Sequence, residues 1–228
     1  MSIIGRIHGS CVHSRRVGVL CSHLASFIPE HASVLDVGTG DGLLAKLLSE
    51  RRPDLALEGV DVLPRPTSHI PVRLFDGQSL PYPNKSFDVV LLVDVLHHTT
   101  DPVLLLREAV RVATRALVIK DHSRQGFAAG LTLRLMDMVG NARHGVSLPY
   151  NYWSPSQWQE AAEALQLRTD KKLTDLKLYP RFADWIFGRS LHFIAHLSVP
   201  QSIELSHRTS TEEPTEFTTP PVPLKKAA

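Results

Sequence analysis

Cysteine is scarce: Cys11 and Cys21 are the only two in 228 residues, both near the N-terminus. So few thiols exclude a disulfide framework, and no Cys-x-x-Cys knuckle is there to hold zinc. A reduced, cytoplasmic setting is the expectation. An excess of one charge is missing too, since 25 Lys and Arg stand against 23 Asp and Glu, for a formal charge of +2. That balance gives no footprint for duplex nucleic acid, and none is expected as a partner. Long hydrophobic runs are also absent. The N-terminus lacks the apolar core of a signal peptide, and the most apolar late stretch, Trp185 to Val199, is interrupted by Arg189, His192 and His196. No membrane span is expected, which leaves room only for peripheral association with a membrane.

Core material is plentiful, at 43% hydrophobic residues, enough for one main domain. Residues 33–200 read as that domain. Residues 1–32 read as an N-terminal cap region, in which Val17, Leu20, Leu24 and Phe27 fall at roughly helical spacing before Pro29 stops the pattern. Such a helix either covers an edge of the sheet or closes over a bound cofactor. Residues 201–228 are dominated by Thr, Pro and Glu, with four prolines after Glu213, and read as a disordered tail.

The densest signal is Val34 to Leu48, VLDVGTGDGLLAKLL. A short strand (Val34, Leu35, Val37) runs into a turn carrying Asp36, Gly38, Gly40, Asp41 and Gly42, then into a helix with Leu43, Leu44, Leu47 and Leu48 on one face. Glycines there allow positive φ and let a ligand approach the backbone. Two readings remain open on this pattern. Gly40, Gly42 and Ala45 satisfy the dinucleotide spacing, with Asp61 where an acid for the ribose of NAD would sit. Asp36 and Asp41, however, bracket the turn, and two carboxylates would repel a pyrophosphate while suiting a ligand that carries positive charge.

Further along, Leu57 to Val60 reads as a second strand ending in Asp61, an acid placed to accept hydrogen bonds from both ribose hydroxyls. Val72 to Phe75 is a third, ending in Asp76 and Gly77, where a carboxylate can accept an exocyclic amine of adenine. Phe87 to Val93 is almost continuously apolar, as a central parallel strand must be. Asp101 and Pro102 cap a helix through Val112, and Ala116 to Lys120 forms a fifth strand. Residues 123–152 read as an insertion: an apolar helix (Phe127, Leu131, Leu135, Met138, Val139) and a loop, leaving the carboxyl end of a strand. That places it over the crevice as a substrate lid, or packs it on the body, or both. Ser154 and Gln157 form a capping box for another helix, followed by strands near Leu167 to Lys172 and His192 to Leu197.

Taken in order, these blocks resemble the class I S-adenosylmethionine-dependent methyltransferases, methyltransferase type 11 subgroup. Asp36 to Gly42 is similar to their D/E-x-G-x-G-x-G loop. Asp76, Leu80, Pro81, Tyr82, Ser86, Phe87 and Asp88 fill the D…LP[FY]xDxSFD block, with Asn84 for the usual acid, and Val95, Leu96, His97 and His98 fill the V-L-H-H segment. The likeness runs from Val34 to about Asp121. It implies an α/β, Rossmann-like, doubly wound sheet of seven strands in order 3-2-1-4-5-7-6, mostly parallel with one antiparallel strand. It implies S-adenosyl-L-methionine as cofactor, with Asp36, Gly38 and Gly40 along the methionine portion, Asp61 at the ribose and Asp76 with Gly77 at the adenine. The backbone of Val93 and Asp94 would face the sulfonium.

The implied reaction is methyl transfer to a small-molecule acceptor by in-line SN2 displacement. The sulfonium already activates the methyl group, so alignment of the acceptor does much of the work. Where the acceptor must lose a proton, His97, His98, His122 and His144 are candidate bases. Asp94 and Asp121 end neighbouring strands where catechol methyltransferases place magnesium ligands, but His122 is a poor magnesium ligand where those enzymes show Asn, and no metal is expected. Two rival functions remain: an NAD-dependent oxidoreductase, for which there is no Tyr-x-x-x-Lys pair, and a non-catalytic cofactor-binding protein. The apolar segment around Phe127 to Val139 leans toward a lipid, quinone or polyketide-like acceptor. The sequence names neither the acceptor atom nor the oligomeric state.

Overall fold

The computed structural model describes residues 15–141, 149–180, 184, 187, 188 and 191–200. His144 and residues 201–228, with the expectations attached to them, lie outside the described residues.

Strands without polar alternation need cover on both faces, which only the middle of a sheet with helices on each side provides. The chain meets that need with seven strands: β1 (Ser33–Val37), β2 (Ala56–Asp61), β3 (Val72–Leu74), β4 (Phe87–Val93), β5 (Ala113–His122), β6 (Arg168–Leu173) and β7 (His192–Ser198). Their order is β3-β2-β1-β4-β5-β7-β6, as expected. β1 pairs in parallel with β2 and β4, β2 with β3, and β4 with β5, whereas β7 runs antiparallel to both β5 and β6.

Among the described residues five helices cover the sheet: α1 (residues 15–25), α2 (Leu43–Arg51), α3 (Pro102–Val112), α4 (Ala129–Asn141) and α5 (Pro155–Ala164). Because side chains alternate along a strand, β4 and β5 feed two cores at once. Val90, Leu92, Leu117 and Ile119 pack with Leu105 and Leu106 of α3 and Ala161 of α5. Val89, Leu91 and Val118 pack on the other face with Leu20 and Leu24 of α1 and Leu48 of α2. The N-terminal helix thus does covering work, and Cys21 is one of its buried residues.

Capping follows the sequence. Asp101 accepts from the Leu104 N–H ahead of Pro102, and Ser154 with Gln157 makes both bonds of the capping box. Two elements differ from expectation. β5 extends past Lys120 because Asp121 and His122 stay in register with Phe193 and His192 of β7. The expected apolar face of α4 points to solvent: Phe127 precedes the helix and is 94% exposed, and Leu131, Leu135 and Met138 are 73%, 48% and 53% exposed. Its inward face is Leu133 and the acid Asp137, with Ala129 at its start. The order reverses between β1 and β4, so their carboxyl ends open the crevice where such sheets take ligands.

Candidate functional site

The turn after β1 is folded on itself. Gly38 has φ +73°, and a Cβ there would lie 2.5 Å from Cγ2 of Val95, so the backbone meets the β4 loop directly. Gly40 has φ +64° and nothing within 4 Å of its Cβ position, leaving its outer side free for a ligand. The amides of Gly38 and Thr39 donate to the Val60 carbonyl at 2.8 and 3.1 Å, and Gly42 donates to the Thr39 carbonyl at 3.0 Å. Gly40 N–H donates to Oδ2 of Asp61 at 2.8 Å, and Leu43 N–H to Oδ1 of Asp41 at 3.1 Å. Five loop donors that a diphosphate would need are therefore already in use.

The acids sit where the strands end. Asp36 is buried beneath the turn and accepts the Thr39 hydroxyl at 2.6 Å. Burial pushes its carboxyl up to about 7, with the Thr39 bond opposing and Asp61 adding to the rise. Asp61 is buried and also accepts the Leu63 amide at 2.8 Å. Asp76 is exposed and closes a turn by accepting from Gln78 and Ser79 at 2.8 and 2.7 Å, which holds its carboxyl low. Gly77, at φ +81°, leaves 3.3 Å between its Cβ position and Val62, an apolar side chain 49% exposed directly after Asp61. The rim formed by β1, β2 and β3 thus carries three carboxylates, one open glycine and one bare apolar surface.

The ends of β4 and β5 hold a buried charged network. Lys120, fully buried on β5, pairs with Oδ1 of Asp94, whose Oδ2 takes Arg16 of α1 at 3.0 Å. Burial works against the Asp94 charge, but Lys120, His122 and Arg16 outweigh it and hold the carboxyl well below its usual range. His97, in a 3₁₀ turn after β4, places Nδ1 2.5 Å from Asp121 and Nε2 3.5 Å from Asp137 of α4. Burial opposes protonation there, yet Asp121 and Asp137 raise His97 to about 10. His122 is brought down to about 4 by burial and by Lys120. His98 is partly buried, and burial followed by the charge of His97 lowers it.

The sequence candidates therefore fall into two groups at the carboxyl ends of the strands: Asp36, Gly38, Gly40, Asp61, Asp76 and Gly77 at the ends of β1, β2 and β3, and Val93, Asp94, His97, His98 and His122 at the ends of β4 and β5. Four participants were not expected. Arg16, Lys120, Asp137 and Tyr152 complete the network, with the Tyr152 hydroxyl donating to Asp137 and to the Leu133 carbonyl. Lys120 had a signal, a cation inside the apolar run ALVIKDH. Asp137 and Tyr152 had none of comparable strength. Asp94 and Asp121 do lie together, but fixed cations on Arg16, Lys120 and His97 already pair them. That leaves the pair poorly suited to magnesium.

The profile of a family described as a methyltransferase domain matches residues 13–172. The 27-O-demethylrifamycin SV methyltransferase of Amycolatopsis mediterranei is 30% identical over 108 residues, 41% of this chain and 39% of that protein. The demethylmenaquinone methyltransferase of Thermotoga maritima is 33% identical over 89 residues, 36% of this chain and 39% of that protein. The chain thus spans 39% of the length of each of these curated relatives. A SAM-dependent methyltransferase from Aquifex aeolicus has a solved structure of similar fold, with TM-score 0.54 and 18% identity over 78% of this chain and 88% of that one.

Proposed function

Because the chain belongs to this methyltransferase domain family, we propose that it transfers a methyl group from S-adenosylmethionine to a small-molecule acceptor. The observation that carries this reading is the turn of Gly38 to Leu43, whose amides are engaged internally and whose neighbours are the carboxylates Asp36 and Asp61. A diphosphate needs free N–H donors and a positive helix end. A ligand with an ammonium and a sulfonium needs neither, and gains from nearby carboxylates. The rival NAD reading is disfavoured for the same reason.

S-adenosylmethionine supplies a methyl group already activated on sulfur. In this reading Asp36, Gly38 and Gly40 hold the methionine portion, Asp61 accepts from the ribose, and Asp76 with the Gly77 backbone meets the adenine while Val62 covers its face. Val93 and Asp94 bring the β4 backbone to the sulfur. His98, with a lowered pKa, is the better candidate base than His97, which its two carboxylates keep protonated at neutral pH. The two curated relatives are named for 27-O-demethylrifamycin SV and for demethylmenaquinone, and the bare apolar side of α4 favours an apolar acceptor such as a quinone.

Calorimetric titration of the full chain tests the cofactor assignment. S-adenosylhomocysteine should bind in the micromolar range and NAD should not compete. Binding of NAD in its place would overturn the reading. Incubation with a labelled methyl donor across quinone, polyketide and phenol acceptors then separates an enzyme from a silent binder.

A further inference from the structure

Two ring nitrogens in the crevice, both buried, lack hydrogen-bond partners: Nε2 of His97 and Nδ1 of His98. His97 is 2% exposed, and its Nε2 stands at ion-pair distance, 3.5 Å, from Oδ2 of Asp137 without making a hydrogen bond; a metal ion would take the place of the proton held between them. Buried polar atoms left without partners are costly, so the arrangement calls for a ligand. One donor atom from each of His97, His98 and Asp137 lies within 4.8 Å of the other two. We propose that these three side chains form a binding site for one divalent transition cation of the zinc type, beneath the lid helix α4.

The donor set selects the ion. Two imidazoles and one carboxylate suit zinc, cobalt or iron, whereas magnesium prefers an all-oxygen octahedron. For metal–ligand distances of about 2.0–2.2 Å, two ligands at a tetrahedral corner angle stand about 3.4 Å apart. The observed 3.5 Å between Nε2 of His97 and Oδ2 of Asp137 is that spacing.

The surrounding contacts are those a metal site uses to aim its ligands. Asp121 takes the far nitrogen of His97, Nδ1, at 2.5 Å, fixing the ring so that Nε2 points inward. Asp121 is itself fixed by the amides of Leu96 at 3.1 Å and His122 at 2.7 Å. The Tyr152 hydroxyl donates to Oδ2 of Asp137, the oxygen that faces His97, and so fixes the carboxylate while leaving Oδ2 a further lone pair. Three protein ligands leave at least one position of a tetrahedral ion open. A cation at this site would activate the acceptor by polarising its oxygen, in place of proton removal by His98, whose free nitrogen the ion would occupy. In the second His/Asp cluster, Asp94, His97, Asp121 and His122, the carboxylate of Asp94 is already held by two fixed cations, Lys120 and Arg16.

The test uses the full chain, stripped with chelator and titrated with Zn²⁺ and, for its visible absorption, Co²⁺. Binding of one equivalent is expected, with a cobalt spectrum of low-symmetry, nitrogen-containing coordination and a rise in Tm. His98→Ala and Asp137→Asn should each weaken binding at least about tenfold, and Asp121→Asn by about 10–100-fold as an orienting residue. No binding to the unmutated chain, or binding that His98→Ala leaves unchanged, would overturn the proposal. His98 is the least buried member of the set, so this variant keeps the test decisive if Asp137→Asn fails to fold. No S-adenosylmethionine is present in the titration, so its result is independent of the methyl-transfer reading above.

Discussion

Because Asp36 is buried under the turn, its carboxyl stays neutral to a higher pH than a surface acid, up to about 7 against 3.8. The sign follows: below 3.8 both folded and unfolded chains carry the proton, and as pH rises to about 7 only the unfolded chain loses it freely, so stability falls. The loss is on the order of 4 kcal/mol across that window. Asp36→Asn should flatten the slope in denaturant titrations at pH 5 and 7.5, and an unchanged slope would refute it. A cationic ligand favours the ionised carboxyl, so affinity for S-adenosylmethionine should rise with pH to about 7 in the parent and not in the Asn variant. The two glycines separate stability from binding. Gly38→Ala meets Val95 and should cost roughly 1–3 kcal/mol. Gly40→Ala has open space, so melting should shift less while cofactor affinity falls by about tenfold or more. The turn and its acids were legible from the sequence because strand, glycines and helix are contiguous. Lys120, Arg16 and Asp137 were not, because a buried charge is explained only by partners elsewhere in the chain: Arg16 and Asp94 are 78 residues apart.

Element by element, periodicity located the strands and helices because their apolar faces are buried, and it left one helix open. The helical spacing of Phe127, Leu131, Leu135 and Met138 fitted a lid over the crevice, packing on the body, or both; α4 leaves these side chains exposed and buries Asp137. The reason is that Asp137 finds His97 and Tyr152 inside, a pairing that spacing along one helix does not encode. Replacing Leu131, Leu135 and Met138 together by Gln should therefore change stability by no more than about 0.5 kcal/mol per site. The same variant should raise KM for an apolar acceptor severalfold and leave kcat within about twofold. A large drop in Tm would show that the face is packed after all.

Across the whole molecule, three carboxylates (Asp94, Asp121, Asp137) are set against Arg16, Lys120 and the imidazolium of His97. Removing one member leaves an uncompensated charge where water is scarce. Lys120→Met should cost about 3–5 kcal/mol, a large part of a typical total of about 5–15, read as a shift in denaturation midpoint. The linkage has a reach beyond the crevice, since α1, β4, β5 and α4 all contribute to it. The position of β7 carries a different consequence. Held between β5 and β6, with both neighbours antiparallel to it, this strand emerges from the ribosome after every other one. Until it does, β5 presents a naked row of amides and carbonyls along one side, so the nascent protein travels with an unsealed edge from the completion of β5 at His122 until Ser198 is added.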